Sequence, residues 1–270
     1  MNRRAFSTTL LAAAAGIQLA AGRRSKPSKL SLPSRLKKGD TVGLITPASY
    51  IDDEGLQKAV TNLESLGLKV VMGKNIRKIH GGLAGTDQER LDDLHQVFAD
   101  PNIQAVWCAR GGYGSAQLLP FIDYKLIRRN PKVFVGYSDI TALHCAFERH
   151  ARLLSFHGPV GSSTFTDYTR KHIVNTLFEK QLSQVINIPK DQIGQIDTAY
   201  ILRVINEGMV EGPLIGGNLS LLSSLAGTRY APDIKGKILF IEEVGEKPYR
   251  IARMLTTLRQ AWPLEKAAGI

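Results

Sequence analysis

The sequence has few cysteines, few aromatic residues and, over its first 39 positions, no acidic residue. It contains two cysteines among 270 residues and an apolar fraction of 43%, which excludes a disulfide-stapled scaffold and a disordered chain. The net charge is +11, but residues 1–39 carry nine of the basic residues, so the rest of the chain holds 26 basic against 24 acidic residues. A surface that neutralises phosphates would draw on the folded body, so nucleic acid is not predicted as a partner.

Long hydrophobic runs are also missing. The apolar run at 10–21 is broken by glycine and glutamine and is shorter than the roughly 20 residues that a bilayer span needs. It follows the pair Arg3-Arg4 and ends in small residues, so residues 1–22 are predicted to be an export signal peptide that resembles a twin-arginine signal. We therefore expect a periplasmic protein without a stable membrane anchor; a Sec-type signal and a cytoplasmic protein are the alternatives. Residues 23–38 are predicted to be a solvated linker.

The two cysteines, Cys108 and Cys145, fall at the end of a predicted strand and inside a predicted helix. Both are predicted to be small buried residues rather than the two halves of a disulfide. No group of Cys and His has the spacing of metal ligands, so neither a metal nor another cofactor is predicted.

From residue 41 onward, short apolar runs alternate with amphipathic stretches, which is typical of a parallel sheet covered by helices on both faces. Strands are predicted at 41–46, 68–72, 103–108, 133–137 and 153–156, and helices at 54–66, 86–99 and 139–150, with a further helical region ending at Arg129. Residues 39–180 are therefore predicted to form an N-terminal α/β domain.

The composition changes near residue 180, where a polar stretch at 181–212 leads into a second unit. Residues 200–270 are predicted to form a smaller C-terminal α/β domain, with helices at 219–226 and 249–259 and a strand at 238–241. The predicted fold class is thus α/β, with two domains.

One candidate residue, Ser138, lies between a buried strand and a helix. Gly136 precedes it by two positions, as in the first half of a nucleophile elbow, where a sharp turn lifts a hydroxyl above the sheet. The second glycine of that motif is replaced by Ile140. The alternative is that Ser138 or Asp139 caps the following helix.

A glycine-rich turn, Arg110-Gly111-Gly112-Tyr113-Gly114, directly follows the strand predicted at 103–108. Glycines there let backbone N–H groups approach an anion closely. The spacing is that of neither a dinucleotide-binding fingerprint nor a P-loop, so a nucleotide is not predicted, and a tight turn that caps a helix is the alternative.

A carboxylate, Glu242, ends the strand predicted at 238–241, at the carboxyl edge of the sheet, where ligands commonly bind. Glu243 and Glu246 are expected in a solvated loop. The six histidines are scattered, and His157 follows the predicted strand 153–156 at the same edge.

Together these segments resemble the LD-carboxypeptidase family of serine peptidases, the muramoyl-tetrapeptide carboxypeptidases, which includes microcin self-immunity hydrolases. The resemblance spans residues 36–270. Besides the three segments above, its markers are Leu36-Lys37-Lys38-Gly39-Asp40, Ile45-Thr46-Pro47-Ala48, Phe156-His157-Gly158-Pro159, Gly216-Gly217-Asn218-Leu219 and Pro248-Tyr249-Arg250-Ile251.

The resemblance implies a serine carboxypeptidase that removes the terminal D-alanine from murein tetrapeptide, hydrolysing an L,D-peptide bond in peptidoglycan turnover or recycling. It implies that Ser138 is the nucleophile, Glu242 the catalytic carboxylate, and a histidine near the carboxyl end the base. Two other functions stay open: an amidase that acts on peptidyl-nucleotide toxins, and a non-catalytic binder of murein peptides. The oligomeric state is also open, a homodimer included.

We expect the backbone N–H groups of Asp139 and Gly112 to form an oxyanion hole, because the first lies at the positive end of a helix and the second in the glycine turn. Arg110 and Gly111 are expected to bind the substrate carboxylate, since the planar guanidinium suits one. A structural ion pair is the alternative role for Arg110.

The sequence departs from the family at its carboxyl end. No histidine follows His172, whereas the family places its catalytic histidine beyond the helix that follows the glutamate. We therefore expect the chain to be a truncated member with an incomplete C-terminal domain and little triad-type activity, because serine attack needs a base within hydrogen-bond reach.

Overall fold

The computed structural model describes residues 30–180, 183, 185–186 and 203–270. Their first sheet consists of β1 (Thr41–Ile45), β2 (Lys69–Met72), β3 (Ala105–Cys108), β4 (Val133–Gly136) and β5 (Phe156–His157). These strands are all parallel and lie in the order β2-β1-β3-β4-β5. The parallel α/β domain predicted from the sequence is confirmed.

Helices cover both faces of this sheet: α1 (Asp53–Glu64), α2 (Asp87–Ala99), α3 (Ser115–Leu118), α4 (Tyr124–Arg129), α5 (Thr141–Ala146) and α6 (Asp167–Leu177). Four of them, α1, α2, α4 and α6, begin at side-chain caps. Asp52 accepts a hydrogen bond from the Gly55 N–H at the start of α1, and Thr86 and Glu89 form a capping box at the start of α2. Such caps satisfy N–H groups that the first helical turn leaves free.

A second, smaller sheet pairs β6 (Leu214–Asn218) with β7 (Ile238–Glu242) in parallel, and α7 (Leu219–Leu225) and α8 (Pro248–Ala261) pack beside it. The chain continues alongside β7, where Gly269 bridges Ile238 in parallel. A smaller second α/β unit is thus confirmed.

The two units share one hydrophobic core. Buried side chains of the helix after β4, such as Leu143, belong to the same cluster as Leu219 and Leu222 of α7 and Leu239 of β7. A separate cluster covers the opposite face of the first sheet and includes Trp107. The shared core holds the second unit against the strand end that carries Ser138.

Several elements differ from the sequence-based predictions. Strand β6 and helix α6 were not predicted, because Gly216 and Gly217 are poor strand formers and α6 buries only Ile173 and Leu177. The strand predicted at 153–156 lies at Phe156–His157 instead. The helix predicted at 139–150 is a 3₁₀ turn, α5 and a π-helical turn in succession.

The structure describes part of the predicted linker but none of the predicted signal. Residues 30–38 of the predicted linker pack on the first domain: Ser31 bridges Leu153, and Leu36 is fully buried. The predicted signal at 1–22 and most of the predicted boundary near 180–200 lie outside the described residues. Among the helices of the described ranges, none is long and apolar enough to cross a membrane.

Both cysteines are buried and free, as predicted. Burial raises the pKa of the Cys145 thiol to about 12 and raises the pKa of the Cys108 thiol well above its ordinary value, so both are held as neutral, unreactive thiols.

Candidate active site

The candidate site lies where the carboxyl ends of strands from both sheets meet. Strands β3, β4 and β5 are parallel neighbours, so the residues after Cys108, Gly136 and Phe156 emerge on one edge. Strand β6 ends beside the Ser138–Ile140 turn, and β7 runs parallel to β6. Five strand ends therefore supply the side chains of this region.

Ser138 stands on a strained turn between β4 and α5. Its φ is +60°, in the left-handed region that non-glycine residues rarely occupy. Gly136 permits the sharp reversal, since a Cβ there would lie 2.8 Å from the Ile140 side chain. The turn thus has the backbone form of a nucleophile elbow, although Ile140 stands where that motif has its second glycine.

The glycine turn packs directly against this serine. A Cβ placed on Gly111 would lie 3.2 Å from the Ser138 Cβ and 3.4 Å from its Oγ. The buried Asp139 carboxylate accepts a hydrogen bond from the Ser115 N–H at 2.8 Å, and the Ser115 hydroxyl donates to the Asp139 carbonyl at 2.6 Å. The side chain of Asp139 therefore joins the two turns rather than capping the helix.

The two expected oxyanion donors flank that contact. Gly112 follows Gly111 in the chain and Asp139 follows Ser138, so each expected N–H belongs to a residue next to the Gly111–Ser138 contact. Gly112 has φ +108°, and its neighbour Tyr113 donates its N–H to Ser49 Oγ at 3.1 Å. The loop after β1 is thus bonded to the glycine turn through Ser49.

A fully buried arginine, Arg90 of α2, clamps the same two loops. Its guanidinium donates to the carbonyls of Pro47 and Gly114, at 2.9 and 3.0 Å, and also bonds the Asp87 and Gln117 side chains. These charge-assisted bonds tie the loop after β1 to the glycine turn, so the position of Gly111 beside Ser138 is set by interior contacts.

Arg110, the predicted carboxylate ligand, is exposed at the mouth of the site. Its guanidinium donates to the Tyr50 carbonyl at 2.8 Å and lies 5.9 Å from the centre of the Tyr50 ring. Among the described residues, it bonds this carbonyl rather than a carboxylate, so the structural ion pair considered above is not formed there.

The second unit reaches the serine helix through the end of β6. The Asn218 N–H donates to Thr141 Oγ1 at 3.0 Å, at the first residue of α5. Gly217 has φ +144°, and a Cβ on it would lie 2.5 Å from the same hydroxyl, so a side chain would separate the two units. The Gly-Gly-Asn segment is therefore a site of close interdomain approach.

Glu242 is the last residue of β7 and pairs in register with Asn218. Burial raises the pKa of its carboxyl group, and the charge of Glu243 adds to that rise, against an opposing contribution from the Asn218 side chain. Glu243 itself bonds Ser220, and Glu246 pairs with exposed Arg250, as expected for a loop.

His157 lies against Glu242, whereas the sequence predicted only that this histidine is near the same edge of the sheet. His157 Nε2 is 3.9 Å from Glu242 Oε1, although the two side chains come from different sheets. Burial lowers the pKa of His157 to about 4, so the imidazole is neutral at physiological pH. The distance between them in the sequence does not predict this contact. The sequence does indicate that each residue lies at the end of a parallel strand.

The remaining contributors to the site left weaker traces in the sequence. Asn218 belonged to a family marker without an assigned role, and Arg90 was one of several charged residues on a polar helix. The burial of Arg90 could not be predicted from the sequence, because the carbonyl oxygens that accept its hydrogen bonds belong to loops 43 and 24 residues away.

Comparison with known proteins agrees with this architecture. Residues 42–158 match the model of the LD-carboxypeptidase N-terminal domain, and residues 211–270 match that of the LD-carboxypeptidase C-terminal domain. The chain therefore belongs to the LD-carboxypeptidase family, as the sequence motifs indicated.

Individual relatives differ in their named roles. A probable murein peptide carboxypeptidase of Bacillus subtilis is 45% identical over 238 residues, which are 88% of this chain and 73% of that protein. The microcin C7 self-immunity protein MccF of Escherichia coli is 31% identical over 88% of this chain and 76% of its own. The solved muramoyltetrapeptide carboxypeptidase from Oxalobacter formigenes has a TM-score of 0.72 and 33% identity, covering 84% of this chain and 74% of that one.

Proposed function

We propose that this protein is a serine carboxypeptidase that removes the terminal D-alanine from murein tetrapeptide, in peptidoglycan turnover or recycling. The observation that carries the proposal is the strained Ser138 turn packed against Gly111, beside the strand ends of the second unit. The named role of the Bacillus subtilis relative supports the choice of a murein peptide.

In the proposed reaction, Ser138 Oγ attacks the carbonyl carbon of the L,D-peptide bond. The oxyanion that forms accepts hydrogen bonds from the Asp139 and Gly112 N–H groups, each worth about 3 kcal/mol in such sites. Collapse breaks the C–N bond, the D-alanine amine leaves with a proton, and water then hydrolyses the acyl-serine ester. The family resemblance assigns proton transfer to a histidine oriented by Glu242.

The decisive assay follows D-alanine release from murein tetrapeptide, both by these 270 residues and by a chain extended to supply the histidine that the family resemblance implies. We expect Ser138→Ala to lower kcat at least about 10³-fold, because no other residue supplies the nucleophile. Ser224→Ala, which removes an exposed hydroxyl of α7 that bonds only the Leu221 carbonyl in the described part of the chain, is the control and is expected to keep full activity. Unchanged release by Ser138→Ala would remove the proposal.

The same assay on the unmodified chain also addresses the base. No histidine follows His172 in this sequence, so D-alanine release by these 270 residues would show that a histidine after Glu242 is not required. Binding of tetrapeptide without any release by the extended chain as well, unaffected by Ser138→Ala, would instead favour the non-catalytic binder.

Carboxylate recognition by Arg110 can be tested separately. The exposed guanidinium suits the free carboxylate of the terminal D-alanine, so we expect amidation of that carboxylate to raise KM about tenfold or more. Arg110→Lys keeps the charge but loses the planar fork, and is expected to show an intermediate KM. Equal rates on free and amidated peptide would exclude this role.

An amidase acting on peptidyl-nucleotide toxins is the second candidate, favoured by the likeness to MccF. Both functions cleave an amide with the same serine, and the loops around the site decide between them. Cleavage of an aminoacyl sulfamoyl adenosine faster than murein tetrapeptide would select the amidase.

We also propose that the protein acts in the periplasm, on the strength of the Arg3-Arg4 pair and the apolar run at 10–21. Fractionation of cells that make the full chain tests this. We expect the protein in the periplasmic fraction, and the variant with Arg3→Lys and Arg4→Lys in the cytoplasmic fraction. Cytoplasmic location of the unmodified chain would overturn the proposal.

A further inference from the structure

The contact between His157 and Glu242 has no role in the reaction described above. His157 is the last residue of β5 and pairs with Gly136, two positions before Ser138, whereas Glu242 ends β7 of the other sheet. Their side chains meet at 3.9 Å between Nε2 and Oε1. This contact therefore links the strand ends of the two units.

Both side chains contain a buried polar atom without a hydrogen-bond partner among the described residues. These atoms are Nδ1 of His157 and Oε1 of Glu242, the second being the oxygen that faces the imidazole. Buried polar atoms in folded proteins are almost always paired, so an unpaired pair of facing groups calls for an explanation. The separation of 3.9 Å is slightly longer than a hydrogen bond, so a small rotation of either side chain would close it.

The imidazole of His157 is held by ring contacts on several sides. Its centre lies 5.1 Å from that of Phe240, 5.9 Å from that of His144 and 6.3 Å from that of Tyr137. His144 is itself fixed, because its ring nitrogens bond the Gly136 carbonyl and the Ser155 hydroxyl. The packing thus sets the direction in which Nε2 points.

Behind the imidazole lies a cavity of about 710 Å³ with mostly apolar walls, which include Phe156 and Phe240. These walls keep the imidazole uncharged, since burial lowers its pKa to about 4. Among the described residues, the titratable groups that face it are Glu242, with Glu243 directly after β7, His144 from α5 and Tyr137 after β4. The imidazole is therefore neutral, and its Nε2 faces the carboxylate.

We propose that His157 is a positioning residue for Glu242, whose Nε2–H holds the carboxylate at the edge of β7 in the direction of Ser138. The role rests on the proposed function, in which Glu242 is the catalytic carboxylate. His157 acts through Glu242 and does not touch the substrate. Because it donates a hydrogen bond to the ionised form, it also favours the carboxylate over the carboxylic acid.

Two substitutions separate donation from packing. His157→Gln keeps an N–H donor of similar reach, and His157→Leu keeps the bulk but removes the donor. His95→Leu, which removes a half-buried histidine of α2 that bonds only the Asp123 N–H in the described part of the chain, is the matched control. Each variant is made in the full chain and its Tm is recorded.

The first measurement is the carboxyl titration of Glu242 by ¹³C NMR, which needs no turnover. We expect His157→Leu to raise the Glu242 pKa by about one unit, since one hydrogen bond to the ionised form is lost. His157→Gln should restore most of the shift and His95→Leu should cause none. Identical titrations in all four proteins would overturn the proposal, whether or not the chain cleaves peptide.

The second measurement is D-alanine release. We expect His157→Leu to lower kcat about tenfold, with KM changed less than about twofold and the acid limb of the pH profile moved upward. Equal loss in His157→Leu and His157→Gln, accompanied by a lower Tm, would show a structural role instead. If Ser138→Ala still releases D-alanine, the proposed function fails, while the titration continues to decide the contact.

Discussion

The serine side and the glutamate side of the site are held in place by different means. Around Ser138, buried hydrogen bonds from Arg90 and Asp139 fix the glycine turn within one domain. Around Glu242, the supports are contacts between the two units, through Asn218 and His157. The serine side is thus built with its own domain, whereas the glutamate side depends on how the units pack.

The two sides of the site are therefore sensitive to different substitutions. Breaking an interior bond on the serine side should unfold or loosen the first domain. A change on the glutamate side should shift the second unit while the first stays folded, because side-chain contacts and one shared core join the two in the described part of the chain. The predictions below test this division in order of the effect expected.

The largest effect is expected for Arg90→Leu. The substitution removes donors to the buried carbonyls of Pro47 and Gly114, which would cost about 3 kcal/mol or more of unfolding free energy. Arg77→Leu is the control, since the Arg77–Asp53 pair is solvent-exposed and should contribute less than about 1 kcal/mol. Urea denaturation measures both, and similar losses in the two variants would contradict a clamp at Arg90.

That clamp also shows what the sequence could and could not predict. Strands β3 and β4 are unbroken apolar runs because both faces of the sheet are covered. Their positions could therefore be predicted from the order of apolar residues in the sequence. The inward turn of Arg90 did not, since its partners are backbone carbonyls of distant loops. Of the candidate site, the strand-end positions of Ser138 and Glu242 were predictable.

The interdomain contacts were not predictable, for a related reason. Gly217 looks like a strand breaker in sequence, and only the approach of Thr141 explains it. His157 and Glu242 are 85 residues apart and belong to different sheets, so no periodicity connects them. Pattern analysis places residues at strand ends, but the packing of the units decides which ends meet.

An ion pair between the units should give the next largest effect. The buried Glu148, in the turn after α5, accepts from Lys237 at 3.0 Å, just before β7 begins. Lys237→Met leaves that carboxylate with Arg152 as its cationic neighbour, at a cost of about 2 kcal/mol. Adding Glu148→Gln should recover part of the loss, because a neutral amide then replaces the buried carboxylate that lost Lys237.

The control for this pair is Lys235→Met, two residues earlier and exposed, which should change stability by less than about 0.5 kcal/mol. Limited proteolysis should show cleavage of the Lys237→Met variant within the second unit while the first resists. Simultaneous loss of both units would mean that the glutamate side is not separable.

Acid should weaken the first domain through His144, whose ring nitrogens bond the Gly136 carbonyl and the Ser155 hydroxyl. Burial lowers the pKa of this histidine to about 3, whereas the unfolded chain titrates near 6.5. The unfolded state therefore binds the proton first, so the stability is complete above about pH 6.5 and declines as the pH falls toward 3. We expect Tm to fall between pH 6.5 and 5, with a smaller slope in His144→Gln; equal slopes would exclude His144 as the cause.

The smallest effect is expected at Ser138 itself, where function and stability oppose each other. A φ of +60° destabilises a serine by about 1 kcal/mol, whereas glycine adopts this conformation without strain. The greater freedom of glycine in the unfolded chain offsets part of this gain. Ser138→Gly should therefore stabilise the protein by about 1 kcal/mol or less while abolishing D-alanine release. Ser138→Ala keeps the strained backbone and is the control, expected to match the wild type in urea midpoint. Equal midpoints for all three proteins would show that the turn stores no strain, and that the serine side is organised by the bonds of Arg90 and Asp139 alone.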